Sequence, residues 1–214
     1  MKTLIVSGGQ VDDIFAFDWI KKEGYSYMIA ADKGLEFFFR NDMWPDLIVG
    51  DYDSVDTESL EYFKSKSVKI ITLNPMKDDT DTEFAIRKAI AEGATSITLL
   101  GATGTRLDHV FGNVELLGIG LQEAVLIELV DAHNRIRMID TTLDLRKDTQ
   151  FGKYVSLIPF SKEIKGVTLE GFKYPLKEAT LERFCTLGIS NEIVDENATI
   201  RIGEGIALVI ESRD

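Results

Sequence analysis

Two textures of hydrophobic and polar residues divide the chain. Up to about residue 131, short continuous apolar runs alternate with helical stripes. The runs are Thr3–Ser7, Tyr27–Ala31, Asp46–Val49, Val68–Leu73, Ser96–Leu100 and Val125–Val130. Between them, apolar residues recur at helical spacing over Asp12–Lys22, after Gly34 through Leu35, Phe38 and Phe39, over Thr80–Glu92 and over Leu107–Leu121, with a more polar helix over Glu58–Lys66. Continuous apolar strands separated by helices predict a parallel sheet covered on both faces.

Beyond the boundary near Asp131–Asn134 the helical stripes stop. Short alternating segments follow at Ile136–Ile139, Tyr154–Ile158, Val167–Leu169, Ala198–Ile202 and Ile206–Ile210, punctuated by Gly, Asp and Asn. That spacing predicts an antiparallel β-sandwich. The expected organisation is α/β: a parallel-sheet, three-layer nucleotide-binding domain over residues 1–132, then a β-sandwich domain over 133–214.

Composition narrows the classes. The 214 residues suffice for one large or two small cores, and 44% hydrophobic with 28% charged residues is ordinary for a globular protein. A formal charge of −12 argues against a nucleic-acid partner and favours a cationic substrate; a polyphosphate would need a metal or local cations beside it. Cys185 is the single cysteine, so an intrachain disulfide and a cysteine zinc cage are both excluded; a small buried hydrophobe is the expectation for it. Met1–Gly9 reads as a strand and not a signal peptide, and no run approaches the roughly 20 apolar residues of a membrane span. A cytosolic protein with no membrane partner is expected.

Polar clusters follow the carboxyl ends of the first five strands, the edge at which open parallel sheets bind ligands. They are Gly8-Gly9, Asp32-Lys33-Gly34, Gly50-Asp51-Tyr52-Asp53, Lys77-Asp78-Asp79-Thr80-Asp81 and Gly101–Asp108. Asp51 and Asp53 stand two apart after an apolar run, and carboxylates that close need a cation or a shared proton. Magnesium is the natural cation beside a nucleotide, and adding Asp81 gives a three-carboxylate cage. Each cluster also has a plainer role: Asp32 could be a helix cap, Asp78 or Asp79 could cap the helix near Thr80, and Gly8-Gly9 could be only a turn. The loop Gly101–Arg106 offers backbone N–H groups and a guanidinium to an anion, and it lacks the Gly-Lys-Ser/Thr ending of a P-loop. Asp108 could orient Arg106 or ligate metal; His109 is expected to be an ordinary helix residue, and His133 carries no argument.

Taken together, Gly50–Ser54, Lys77–Glu83 and Gly101–His109 with Gly112-Asn113 resemble the thiamin pyrophosphokinase family in order and spacing, as do, more weakly, Gly171–Leu176 and Ser190–Glu192. The resemblance implies transfer of pyrophosphate from ATP to the hydroxyl of thiamin, giving thiamin diphosphate and AMP, by a magnesium-dependent homodimer. It implies Asp51, Asp53 and Asp81 as metal ligands, with Arg106 and Asp108 at the phosphates. The nucleotide set expected is Gly8, Gly9, Asp32, Asp51, Asp78, Thr80, Gly101, Thr103, Gly104 and Arg106; Tyr174, Ser190 and Asn191 would face thiamin, the tyrosine stacking on the thiazolium or else lying in the sandwich core. Asp81 or Asp108 would accept the hydroxyl proton. This sequence departs from the family at Tyr52, where Phe is usual, and at Lys33 and Thr105, where Gly often stands. Two other functions are open to the same residues: an aspartyl-phosphate phosphohydrolase with Asp51 as nucleophile, Asp53 as acid/base and Lys77 with Asp78-Asp79 as later motif groups, or a magnesium-nucleotide or thiamin-binding module without turnover.

Overall fold

The structure, a computed structural model, describes residues 1–53, 55–74 and 78–214 and falls into two compact units, Met1–Ala132 and His133–Asp214. The first unit runs β1 (Lys2–Val6), α1 (Asp13–Glu23), β2 (Tyr27–Ala31), α2 (Gly34–Arg40), β3 (Leu47–Gly50), α3 (Thr57–Ser65), β4 (Lys69–Thr72), α4 (Asp81–Ala91), β5 (Ser96–Leu100), α5 (Leu107–Glu115), α6 (Leu117–Glu123) and β6 (Leu126–Val130). The strands pair in parallel in the order β6-β5-β1-β2-β3-β4. Leu4, Ile5, Ile29, Leu47, Ile48 and Leu99 are fully buried, as continuous apolar strands covered on both faces should be. Phe37, Phe38, Phe63 and Ile86 supply the bulk of the covering helices' core.

The strand order places the site. The chain moves outward from β1 through β2 and β3 to β4, then returns to pair β5 on the other side of β1. The sheet order therefore reverses between β1 and β5, and in such sheets ligands bind at the carboxyl ends of the strands around that reversal.

Caps explain the helix boundaries near the site. Thr80 caps α4, its hydroxyl accepting from Glu83 N at 3.2 Å, so the cap expected of Asp78 or Asp79 belongs to Thr80. Asp56 caps α3 through Glu58 N and Ser59 N. The cap position of α2 is Lys33, not Asp32. The stripe expected as one helix over Leu107–Leu121 is two, α5 and α6, joined at Leu116.

Tyr25 accepts a hydrogen bond from Trp19 Nε1 at 2.9 Å, and burial pushes its hydroxyl up to about 12, against hydrogen bonds from Thr98 and Trp19 that lower it. A raised pKa favours the neutral folded form. Its stabilisation is complete below the unfolded-state value and is lost as pH rises through the folded value. Stability should fall by about 2–3 kcal/mol between pH ~10 and ~12, and a Tyr25→Phe variant should lose that dependence in urea denaturation series across this range.

The second unit comprises β7 (Asn134–Ile139), β8 (Thr142–Arg146), β9 (Tyr154–Pro159), β10 (Glu163–Glu170), β11 (Leu176–Glu182), β12 (Asn191–Glu192), β13 (Asn197–Arg201) and β14 (Ala207–Ser212). They form two antiparallel layers, β12-β9-β14-β7 and β11-β10-β13-β8. Val155, Leu157 and Val209 of one layer meet Ile164, Leu169, Leu181 and Ile200 of the other in a single core. The sheet-on-sheet arrangement is the expected sandwich. Cys185 corrects its expectation: it is exposed, in the β11–β12 loop beside the fully exposed Phe184, where the chain contributes nothing to the core.

Candidate active site

The loops at the carboxyl ends of the strands enclose a cleft of about 970 Å³ within the first unit. Gly8, Gly9 and Gln10 follow β1; Asp32 and Lys33 follow β2; Asp51 follows β3; Asp79, Thr80 and Asp81 precede or open α4; Gly101 to Arg106 follow β5. Asp78 and Asp53 are not among the lining residues, and Asp79 lies where Asp78 was expected. Lys77 lies outside the described residues.

The two switch-point loops are laced together. Ser7 N donates to Leu100 O, Gly9 N to Gly101 O and Gln10 N to Thr103 O, at 2.7–2.8 Å. A methyl on Gly9 would sit 2.2 Å from Thr103 O and 2.4 Å from Gly101 O, so only glycine permits this approach. Gly101 has a φ of +63° and equally close neighbours. Asn113 on α5 donates to Ala102 O at 2.8 Å and fixes the β5 loop from the other side. Gly9→Ala should push the loops apart, cost about 1–3 kcal/mol of stability in urea unfolding and abolish detectable nucleotide binding in calorimetry.

Three carboxylates converge here. Oxygens of Asp32, Asp51 and Asp81 all lie within 4.8 Å of one another, and each residue is half-buried. Asp51 and Asp81 were expected together; the third member is Asp32, not Asp53. Asp53 is exposed, and what it gives the group is its backbone N–H, which donates to Asp51 Oδ1 at 3.2 Å. The backbone explains the exchange: Tyr52 has a φ of +63° and Asp32 one of +50°. Left-handed backbone at Tyr52 breaks the alternation that would put Asp51 and Asp53 on one face. The Tyr52 hydroxyl donates to Ile71 O at 3.0 Å and so ties the turn to β4. Burial pushes that hydroxyl well above the ordinary tyrosine range, with the charges of Asp81 and Asp32 adding to it. Such a cluster of hard oxygen donors, mutually repelling when bare, fits a divalent ion such as Mg²⁺.

Arg106 stands at the start of α5, its Nη2 donating to Asp108 Oδ2 at 2.6 Å. Each partner steadies the other's charge: the hydrogen bond that Arg106 donates lowers the Asp108 carboxyl, and the same bond, accepted by Asp108, raises the guanidinium. Asp108 thus orients Arg106 and is outside the acidic trio.

In the second unit, Tyr174 is 60% exposed, which removes it from the sandwich core; Lys173 Nζ lies 5.6 Å from its ring centre. Asn191 is buried and uses its side chain on the loop: Oδ1 accepts from Tyr174 N and Glu192 N, and Nδ2 donates to Tyr174 O at 2.8 Å. It presents Tyr174, using its carbonyl oxygen and one amide N–H on the backbone. Ser190 is exposed, with a φ of +57°.

A doubly wound sheet with glycine loops, a carboxylate trio and an oriented arginine at the carboxyl ends of its strands is the framework of a nucleotide-dependent enzyme of phosphoryl chemistry. The family model for the thiamin pyrophosphokinase catalytic domain matches residues 21–128, and that for the vitamin B1 binding domain of the same enzymes matches 140–207. The chain belongs to the thiamin pyrophosphokinase family. It is 32% identical to the thiamine pyrophosphokinase of Bacillus subtilis over 219 residues, covering the whole of both chains. The crystal structure of thiamine pyrophosphokinase from that organism superposes with a TM-score of 0.90 at 31% identity, covering all of both chains. That of thiamin pyrophosphokinase from Geobacillus thermodenitrificans gives 0.87 at 34%, covering 100% of this chain and 98% of the other. These matches set aside the aspartyl-phosphate hydrolase and the non-catalytic module.

Proposed function

We propose that this chain transfers pyrophosphate from ATP to the hydroxyethyl oxygen of thiamin, releasing AMP, with Mg²⁺ held by Asp32, Asp51 and Asp81. The observation that carries the reading is the convergence of those carboxylates in the cleft at the carboxyl ends of the strands. When bound, the ion would neutralise charge on the phosphate oxygens. The chain's own groups do the rest. Backbone N–H groups of the Gly101–Arg106 loop, which Gly9 and Gln10 hold in place, cradle phosphates. Arg106, aimed by Asp108, meets charge developing on the transferred group. The thiamin oxygen forms a bond to the β-phosphorus as the bond between that phosphorus and the AMP oxygen breaks. The hydroxyl proton passes to a carboxylate; Asp108 takes this role in our reading, since Asp81 belongs to the metal trio. Asp53 supports the site by holding Asp51 through its backbone N–H.

Thiamin carries a cationic ring, and we assign Tyr174 to stack on it, with Ser190 beside it and Asn191 as the buttress. A net charge of −12 favours a cation of this kind and disfavours nucleic acid as partner. No helix among the described residues is long and apolar enough to cross a membrane. We further propose a homodimer working in the cytosol, its mass readable by sedimentation equilibrium. The direct test of the activity is product identity. Incubation with ATP, Mg²⁺ and thiamin should yield AMP and thiamin diphosphate in equal amounts; ADP with thiamin monophosphate, or AMP formed without thiamin, would contradict it.

A further inference from the structure

Charge in the cleft is unevenly distributed. Asp32, Asp51, Asp79, Asp81, Glu83, Asp108 and Glu115 line it, against two cationic side chains, Lys33 and Arg106. Arg106 is already paired with Asp108 at 2.6 Å. Among the described residues Lys33 is therefore the one lining cation without a carboxylate partner. Its position is specific. A methyl placed on Gly8 would lie 3.1 Å from Lys33 Cβ and 3.6 Å from Asp32 Oδ2. The lysine stem thus rises directly beside the first glycine loop, next in sequence to a member of the acidic trio.

A triphosphate entering this cleft brings several negative charges toward seven carboxylates. A divalent ion in the trio offsets part of that repulsion and leaves the rest to the chain. A flexible ammonium beside the Gly8-Gly9 loop can follow the phosphate oxygens as a compact point charge. Building on the function proposed above, we infer that Lys33 is a further substrate-binding residue, its ammonium pairing with the phosphate chain of the nucleotide at the Gly8-Gly9 loop. It makes no use of the planar geometry that Arg106 supplies. It acts on nucleotide affinity and not on thiamin or on the chemical step.

The test is calorimetric binding of the Mg²⁺ complex of a non-hydrolysable ATP analogue, without thiamin, to the full chain and to Lys33→Met and Lys33→Arg. Methionine keeps the stem beside Gly8 and removes the charge; arginine keeps the charge. Lys33→Met should bind about tenfold more weakly at low salt, Lys33→Arg within about twofold of the parent, and the difference between parent and Lys33→Met should shrink as ionic strength rises. An unchanged thermal midpoint would show that the fold is intact. Turnover assays should place the effect in KM for ATP, with KM for thiamin and kcat little altered. Equal affinity of parent and Lys33→Met would overturn this assignment and leave the proposed function standing. A parent chain that fails to bind the analogue at all would overturn both.

Discussion

Asp51→Asn should lower kcat/KM for pyrophosphate transfer by about 10²–10⁴-fold while leaving the fold intact or slightly stabilised. The two signs come from one geometry. Three carboxylates within 4.8 Å repel one another when no cation is present, so neutralising one relieves strain in the free protein. The same carboxylate supplies a charged ligand when the ion binds, and losing it removes several kcal/mol of charge stabilisation from the transition state. A thermal melt without Mg²⁺ should show an equal or higher midpoint, and the Mg²⁺-induced rise seen with the parent should largely vanish. A variant that merely misfolds would lose both. Asp32→Asn should behave likewise, which sets Asp32 apart from a residue that only shapes a turn.

The second large effect is expected at Arg106. Arg106→Ala should reduce kcat by about 10²-fold or more, with a smaller rise in KM for ATP, because its charge matters most where negative charge develops on the transferred group. Its pair with Asp108 is 66–70% exposed, so little stability is at stake. Arg106→Lys should recover only part of the loss, since an ammonium lacks the two-pronged fork that grips a phosphate and accepts orientation from Asp108. Steady-state kinetics on both variants check this. Full activity in the alanine variant would remove Arg106 from the chemistry.

What could be read before folding depended on burial. Leu4-Ile5-Val6 and Leu47-Ile48-Val49 announce buried parallel strands because both faces of each are covered, leaving no polar alternation to confuse them. In the second unit the residue pattern does not announce β8, β11 and β12. Leu176–Glu182 fully buries only Leu181 in an edge strand, and Leu176 stands out of alternation with Ala179 and Leu181, so nothing in its pattern separates strand from loop. β12 is two residues long. The apolar stripe from Leu107 to Leu121 spans two helices because periodicity carries across the joint at Leu116.

The site was legible as a set of loops and not as a set of ligands. Strand-end position identified which loops share an edge. Which carboxylate turns inward depends on single backbone angles: the left-handed conformation of Tyr52 is not written in a residue type that ordinarily avoids it, and Asp, which enters that region more readily, does so at Asp32 and not at Asp51 or Asp53. Asn191 shows the same limit: its motif position marked it, but only the hydrogen bonds to Tyr174 and Glu192 reveal that it holds another residue in place.

Crystals grown with Mn²⁺ and a non-hydrolysable ATP analogue give the most direct view, through the anomalous difference map at the manganese edge. The account places the strongest peak among the carboxylates of Asp32, Asp51 and Asp81, with phosphate oxygens completing its shell. A map with nucleotide in the cleft and no peak among those three side chains would contradict it.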